Sequence, residues 1–371
     1  MADVAVAIIG AGPAGIACAW RLAQLGFSPL ILEKATFPRD KVCGDALSGK
    51  SIAILKKLGG SALLEDFFSQ PFVLPAERLS FWDDRKHKVS LSFPSQGGLP
   101  QGATAPRLYL DKWLWEQIPD PVTKLSGEKV VRVHKRASFW EIEGKSGLRV
   151  KARFIVGADG ANSRVAPWVW RFHGLNRPVE APAVRGYASS SEVYEELHLH
   201  FIPPLLPGYF WEFPLAHQRL NVGIGMPPPA PVKGLRPTLQ ALWPEPLEGV
   251  GGHKIPLAMG ERPLSAQACA LVGDAAALAD PFTGEGIGNA LLSGIRLAEA
   301  LARVPMAQWW ETDWETFYTK PLYRELRQEM RITRVLHRIA RSPFRVRGLL
   351  ALMQRMPFLT RPLLDWYGVK G

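Results

Sequence analysis

Val4-Ala5-Val6-Ala7-Ile8-Ile9 runs straight into Gly10-Ala11-Gly12-Pro13-Ala14-Gly15, and the reading of this stretch decides the fold. A short apolar run ending at a glycine has the character of a buried strand. Ile16 to Leu25 then reads as helix, Gly26 as its stop, and Ser28 to Leu32 as a second strand closed by Glu33. Strand, GxGxxG, helix, strand and terminal acid make up the βαβ fingerprint of a dinucleotide site. In it Gly10 permits the tight turn, Gly12 lets the backbone approach a pyrophosphate, and Gly15 allows close helix packing, with the phosphates at the positive helix end. Glu33 suits a ribose hydroxyl and would repel a 2′-phosphate.

NAD and FAD share this fingerprint, so the choice between them falls to two distant segments. Phe154-Ile155-Val156 leads into Gly157-Ala158-Asp159-Gly160-Ala161-Asn162-Ser163-Arg164, and Cys269-Ala270-Leu271-Val272 into Gly273-Asp274. Each puts an aspartate at the C-terminal end of a strand, where doubly wound sheets bind ligands. Asp274 suits a ribityl hydroxyl. After it come Asp280-Pro281-Phe282-Thr283-Gly284-Glu285-Gly286-Ile287-Gly288-Asn289 and a helix. Those glycines would let a flavin lie on backbone amides, and the helix dipole would support negative charge on the reduced ring.

Together the three segments resemble the FAD-dependent monooxygenase and reductase superfamily, similar in fold to para-hydroxybenzoate hydroxylase. Phe37-Pro38-Arg39-Asp40-Lys41-Val42-Cys43-Gly44-Asp45-Ala46-Leu47-Ser48 more closely resembles a segment of the geranylgeranyl reductase family. Tyr209-Phe210-Trp211-Glu212-Phe213-Pro214 and Asn221-Val222-Gly223-Ile224-Gly225 look like that family's YxWxFP and NVGxG pair, although a YxWxFP-like pattern also occurs near flavin-dependent halogenases. The resemblance spans roughly the first 300 residues. It implies FAD contacts from Gly10, Gly12, Pro13, Ala14, Gly15, Glu33, Lys34, Arg39, Lys41, Cys43, Gly44, Arg107, Asp159, Gly160, Asp274, Pro281, Gly284, Gly286 and Ile287. Arg107 opens Arg107-Leu108-Tyr109-Leu110-Asp111, similar to a family R-x-x-x-D segment at a helix start, with Asp111 either a brace or a ligand contact. Val130 would offer its backbone to adenine, or be a core valine, which is the preferred reading.

The expected fold is α/β, α+β overall: a Rossmann-type FAD-binding domain from 1–71, 107–170 and 258–305, an inserted antiparallel-sheet substrate domain from 72–106 and 171–257, and a basic helical segment at 306–371. Prolines at 203, 204, 207, 227, 228, 229 and 231 interrupt helices in the insert and suit strand edges or loops. Tyr209, Trp211 and Phe213 alternate, giving one strand an aromatic face that either lines a substrate cavity or packs as core. Cys43 beside a flavin would donate a proton or shape the pocket, and packing is the preferred reading. The eight histidines show no HxxxH spacing and no GxSxG elbow is present, so neither a metal nor a serine nucleophile is expected.

The chain's 371 residues exceed one ordinary core, and its composition is that of a globular protein. A net charge of +11 favours acidic partners without choosing among them. Most of it sits at 320–361, where eleven Lys and Arg face only Glu325 and Glu329. Leu322, Leu326, Met330, Ile332, Val335, Leu336 and Ile339 recur at helical spacing against Arg324, Arg327, Arg331, Arg334, Arg338 and Arg341. With Phe344, Leu349, Leu350, Leu352, Met353, Met356 and Phe358 nearby, this reads as a packed helix with a solvated face or as a contact for an anionic membrane surface. Nucleic acid is not expected, since no binding motif accompanies the charge. Cys18, Cys43 and Cys269 form no CxxC pair, which fits a reducing cytoplasm with possible peripheral attachment to the membrane. The apolar start has no basic leader, and no apolar run is long enough for a span. The sequence does not fix an oligomeric state.

The expected activity is transfer of hydride from reduced FAD to a carbon–carbon double bond of an isoprenoid or other apolar small-molecule or lipid substrate. NADPH, NADH or another donor would bind transiently, because no second GxGxxG follows a strand. The alternatives are a monooxygenase or halogenase of an aromatic or polyketide substrate, and an electron-transfer flavoprotein that transforms nothing.

Overall fold

The computed structural model describes residues 2–92, 98–190, 196–227 and 234–356. Its first sheet is centred on Ala2–Ile9, flanked by Leu30–Glu33 and then Thr123–Ser126 on one side and by Arg149–Gly157 on the other, all parallel. The free edge of Arg149–Gly157 is shared. Its first half pairs antiparallel with Trp140–Gly144, which pairs with Val130–Lys135, and its second half pairs parallel with Cys269–Leu271. The sequence follows this change of partner. Burial alternates from Arg149 to Arg153 and becomes continuous from Phe154 to Gly157, as expected where a parallel strand is covered on both faces.

Two helices pack together beside the central strands. Pro13–Gln24 follows the glycine turn, and Ile287–Ala302 lies against it. Small residues permit the contact: a Cβ on Gly294 would lie 2.2 Å from the Ala14 carbonyl oxygen.

The second sheet runs Glu248–Pro256, Glu180–Ser189, Arg219–Gly225, Tyr209–Leu215, Leu197–Phe201, Arg78–Asp83, Lys88–Ser92. It is antiparallel except where Leu197–Phe201 meets Arg78–Asp83 in parallel, the seam between its two stretches of sequence. Gly223 makes room for its neighbour, since a Cβ there would lie 2.3 Å from the Trp211 indole.

Helices Lys320–Ile339 and Pro343–Arg355 pack on the second sheet through Leu336, Ala340, Val346, Leu350 and Met353. This alters the expected surface. Leu350 and Met353 are buried, Val335 is 52% exposed, and His337 lies inside with Nδ1 3.0 Å from the Pro281 carbonyl. The buried series Leu322, Leu326, Met330, Thr333, His337 steps by four, four, three and four, which leaves Val335 off the stripe. Arg324, Arg327, Arg331, Arg338 and Arg341 are exposed, whereas Arg347 pairs with Asp84. Phe358 and Arg361 lie outside the described residues, as do Pro228, Pro229 and Pro231. Among the described residues, no helix is long and apolar enough to cross a membrane.

Candidate functional site

A cavity of about 680 Å³ lies between the C-terminal ends of the parallel strands and the second sheet. Gly10, Gly12, Pro13 and Ala14 line it at the start of the first helix. The three fingerprint glycines divide their tasks. A Cβ on Gly12 would meet nothing within 4 Å, so open space lies over that backbone. On Gly10, at φ +104°, it would lie 2.3 Å from the Ala158 carbonyl oxygen, and on Gly15 2.0 Å from that of Gly10. Gly15 is off the cavity wall and serves the packing of the turn.

The acids of this wall are held by donors. Glu33 is buried and accepts from the backbone N–H of Ala11 at 2.9 Å and of Ala35 at 3.1 Å. Asp159 accepts from the Arg164 N–H at 2.7 Å through Oδ2, while its buried Oδ1 has no hydrogen-bond partner of good geometry among the described residues. Burial opposes ionisation of Asp274, but Lys41 at 2.7 Å holds its pKa below the ordinary carboxylate value. Asp111, fully buried and off the cavity wall, binds Arg107 through both carboxylate oxygens and Arg39 at 2.9 Å. Asp111 is thus a brace, and it directs two arginines that do line the cavity.

Lys34, Lys41, Cys43, Gly44, Val130, Gly160, Pro281, Gly284, Gly286 and Ile287 also line the cavity, and Val130 belongs at the same time to the apolar core. Gly286 and Ile287 begin the helix Ile287–Ala302, so its positive end faces the space. Across from them stand Tyr209, Trp211 and Phe213. These three both line and pack. The Trp211 Nε1–H donates to Asn221 Oδ1 at 2.8 Å, the Tyr209 hydroxyl donates to the Thr283 carbonyl, and a Cβ on Gly44 would lie 3.1 Å from the Phe213 ring. Leu79, Leu197, Leu199, Ile255, Leu257 and Phe282 complete an apolar wall.

Sequence reading missed Asp45 as a site residue, although the acid stands directly after Cys43-Gly44. It is fully buried, sits at φ +63°, lines the cavity and accepts from the Arg107 N–H at 3.1 Å, the Tyr187 hydroxyl at 2.9 Å and the Asn221 amide at 2.8 Å. Burial raises its pKa to about 6 against those three hydrogen bonds. Asn221 also donates to the Cys43 carbonyl at 2.8 Å, so one amide joins the second sheet to the Cys43 loop. Burial pushes the half-buried Cys43 thiol above its ordinary pKa, with Arg107 opposing. Two further acids were missed. Asp280 caps its own loop through Phe282, Thr283 and the Thr283 hydroxyl, with burial raising its pKa to about 6. Glu285 accepts from Ser48, Ser51 and the Gly288 N–H.

An open glycine cradle at a helix start, a buried acid at the second strand end and aspartates at two further strand ends fit an FAD molecule laid across the first sheet. Residues 3–180 match the FAD binding domain family. The chain is 32% identical over 332 residues to menaquinone reductase of Mycobacterium tuberculosis, covering 82% of this chain and 78% of that protein. It is 30% identical over 328 residues to digeranylgeranylglycerophospholipid reductase 1 of Methanopyrus kandleri, covering 80% of each. A crystal structure of a geranylgeranyl bacteriochlorophyll reductase-like protein from Thermoplasma acidophilum superposes with a TM-score of 0.80 at 20% identity, over 99% of this chain and all of that one, a likeness of fold. Fold and matches define the class as an FAD-dependent oxidoreductase. Within that class, the chain belongs to the geranylgeranyl reductase family.

Proposed function

We propose that this enzyme reduces a carbon–carbon double bond in an isoprenoid or similarly apolar chain. The observation that carries the reading is the apolar wall, Leu79, Leu197, Leu199, Trp211, Ile255 and Phe282, facing the strand ends that would hold FAD. The reductases named above act on menaquinone and on a digeranylgeranyl lipid, which fits such a wall. FAD, when bound, supplies the hydride chemistry. Gly12 and the first helix would hold its pyrophosphate and Glu33 its ribose, while Asp274 and Lys41 would meet the ribityl chain. Lys34, Arg39 and Arg107 supply positive charge to this wall, and the start of Ile287–Ala302 supports negative charge on the ring.

Reduction of the double bond consumes one proton beside the hydride, and Cys43 is the candidate donor. Burial keeps its thiol protonated at neutral pH, and Arg107 would steady the thiolate left behind. NADPH, NADH or another donor would deliver electrons and depart. Dithionite-reduced enzyme, held anaerobically with a panel of prenyl quinones and prenyl lipids, should yield products heavier by two hydrogens. Products that form only with oxygen and carry its label would replace this reading with a hydroxylase, and failure to transform any of them would leave an electron carrier.

The same substrates call for a membrane. Phe344 is 76% exposed beside exposed Arg341 and Arg345, with Leu352 and Met356 also outward, which favours docking on an anionic surface. Replacing Arg327, Arg331, Arg334 and Arg338 with Gln should abolish sedimentation with anionic liposomes while flavin content stays the same. Equal sedimentation of variant and parent would reject docking through this helix.

A further inference from the structure

The reverse face of the second sheet holds a cluster that the flavin cavity does not use. Along Leu197–Phe201, His198 and His200 alternate with Leu197 and Leu199, so the two rings project away from the cavity that the leucines line. Glu212 stands directly opposite His198 on the neighbouring antiparallel strand. One ligand atom from each of the three lies within 4.8 Å of the other two.

His200 carries the stronger signal. Its Nε2 is 2.9 Å from Glu212 Oε1, yet it is buried and makes no aligned hydrogen bond among the described residues. The ring is held in this attitude by Trp82, stacked at 5.8 Å with 11° between planes. A carboxylate and an imidazole nitrogen that converge off the hydrogen-bond direction, with a second imidazole in reach, form a donor set that one cation could share. We propose that His198, His200 and Glu212 bind one divalent transition-metal ion of the zinc class.

Two imidazoles and one carboxylate suit zinc, cobalt or nickel better than calcium or magnesium, which prefer all-oxygen sets. Zinc held at 2.0–2.2 Å draws tetrahedral ligands to roughly 3.3 Å from one another, which small side-chain rotations on paired strands would supply. Three protein ligands leave one position for water. The nearby ammonium of Lys88 is answered by Glu196 at 2.6 Å, which Arg78 also approaches at 3.2 Å, so the repulsion met by an incoming dication is reduced.

The site ties Leu197–Phe201 to Tyr209–Leu215, the strands whose other face presents Leu197, Leu199, Tyr209, Trp211 and Phe213 to the cavity. It stands whether or not the proposed substrate is correct.

The test uses the intact flavoprotein, stripped with a chelator and desalted, then titrated with Zn²⁺ against a chromophoric chelator and with Co²⁺ by absorption. One equivalent should bind, and zinc should raise the thermal midpoint. His200→Ala, His198→Gln and the shape-conserving Glu212→Gln each remove a direct ligand, so each should weaken binding by at least the roughly tenfold that loss of an outer-shell partner costs, all with unchanged FAD content. A parent that binds no zinc, or correctly flavinated variants that bind as tightly as the parent, would overturn the assignment.

Discussion

Asp111 and Asp45 are both fully buried carboxyls, one behind the cavity wall and one on it, and the fold treats them in opposite ways. Asp111 meets two guanidinium groups, Arg107 and Arg39, which overcome the burial penalty and hold its pKa below the ordinary value. Asp45 meets a backbone N–H, a phenol and an amide, and burial wins. The first carboxyl is a fixed charge in an ion-pair network. The second, with its pKa raised to about 6, lies at the seam between the charged wall at the strand ends and the apolar sheet. Depth alone therefore does not set protonation; the kind of donor does.

Removing the fixed charge should do most. Asp111→Ala leaves the buried Arg107 guanidinium without its carboxylate and Arg39 with only Glu33 at 3.6 Å, and breaking such a buried pair costs about 3–5 kcal/mol. Urea unfolding would measure it, and a loss under about 1 kcal/mol would mean that solvent already screens the pair.

Asp45 sharpens the contrast through pH. Its folded pKa is raised, so its contribution to stability is full below the unfolded value near 4 and is lost as pH rises through about 6. Asp45→Asn keeps the side-chain shape, tolerates the positive φ and cannot ionise. From pH 4 to 7 the variant should gain on the parent by roughly 2–3 kcal/mol. A constant difference over that range would place the titration elsewhere, for instance at Asp280.

The glycines give a smaller, sharper pair. Gly15→Ala should destabilise by about 1–3 kcal/mol, because its Cβ has no room. Gly12→Ala should leave stability of the flavin-free protein unchanged while weakening FAD binding, read by equilibrium dialysis. Equal effects on both quantities in the two variants would deny the division of tasks. Smallest should be Trp211→Phe, which forfeits one hydrogen bond to Asn221, worth about 1 kcal/mol. A markedly larger loss would show that the indole holds the Cys43 loop in place.

The glycine turn and the strand ends were readable because their chemistry is local. Strand, GxGxxG and acid lie within the first 33 residues, and each aspartate follows its own strand. The Asp45 hub was not readable that way. Tyr187 and Asn221 lie 142 and 176 residues away, and only the register of the second sheet brings them to Asp45. HxxxH is a helical signature, whereas His198 and His200 follow the strand period of two and meet Glu212 across a hairpin. Along the C-terminal helix the apolar residues predicted a stripe through Val335, but the buried line runs through His337, whose partner is the carbonyl of Pro281 in a distant loop.

The divided edge of Arg149–Gly157 also bears on how the chain is made. Cys269–Leu271 lies beside Gly157, yet more than a hundred residues, including most of the second sheet, emerge from the ribosome between them. Closing so long an excursion adds entropy only logarithmically, so equilibrium stability suffers little. The schedule changes more. A nascent chain can assemble the glycine turn and the Glu33 strand end early, whereas Asp274 and the helix behind it arrive only after the whole insert, so that wall of the cavity is finished last.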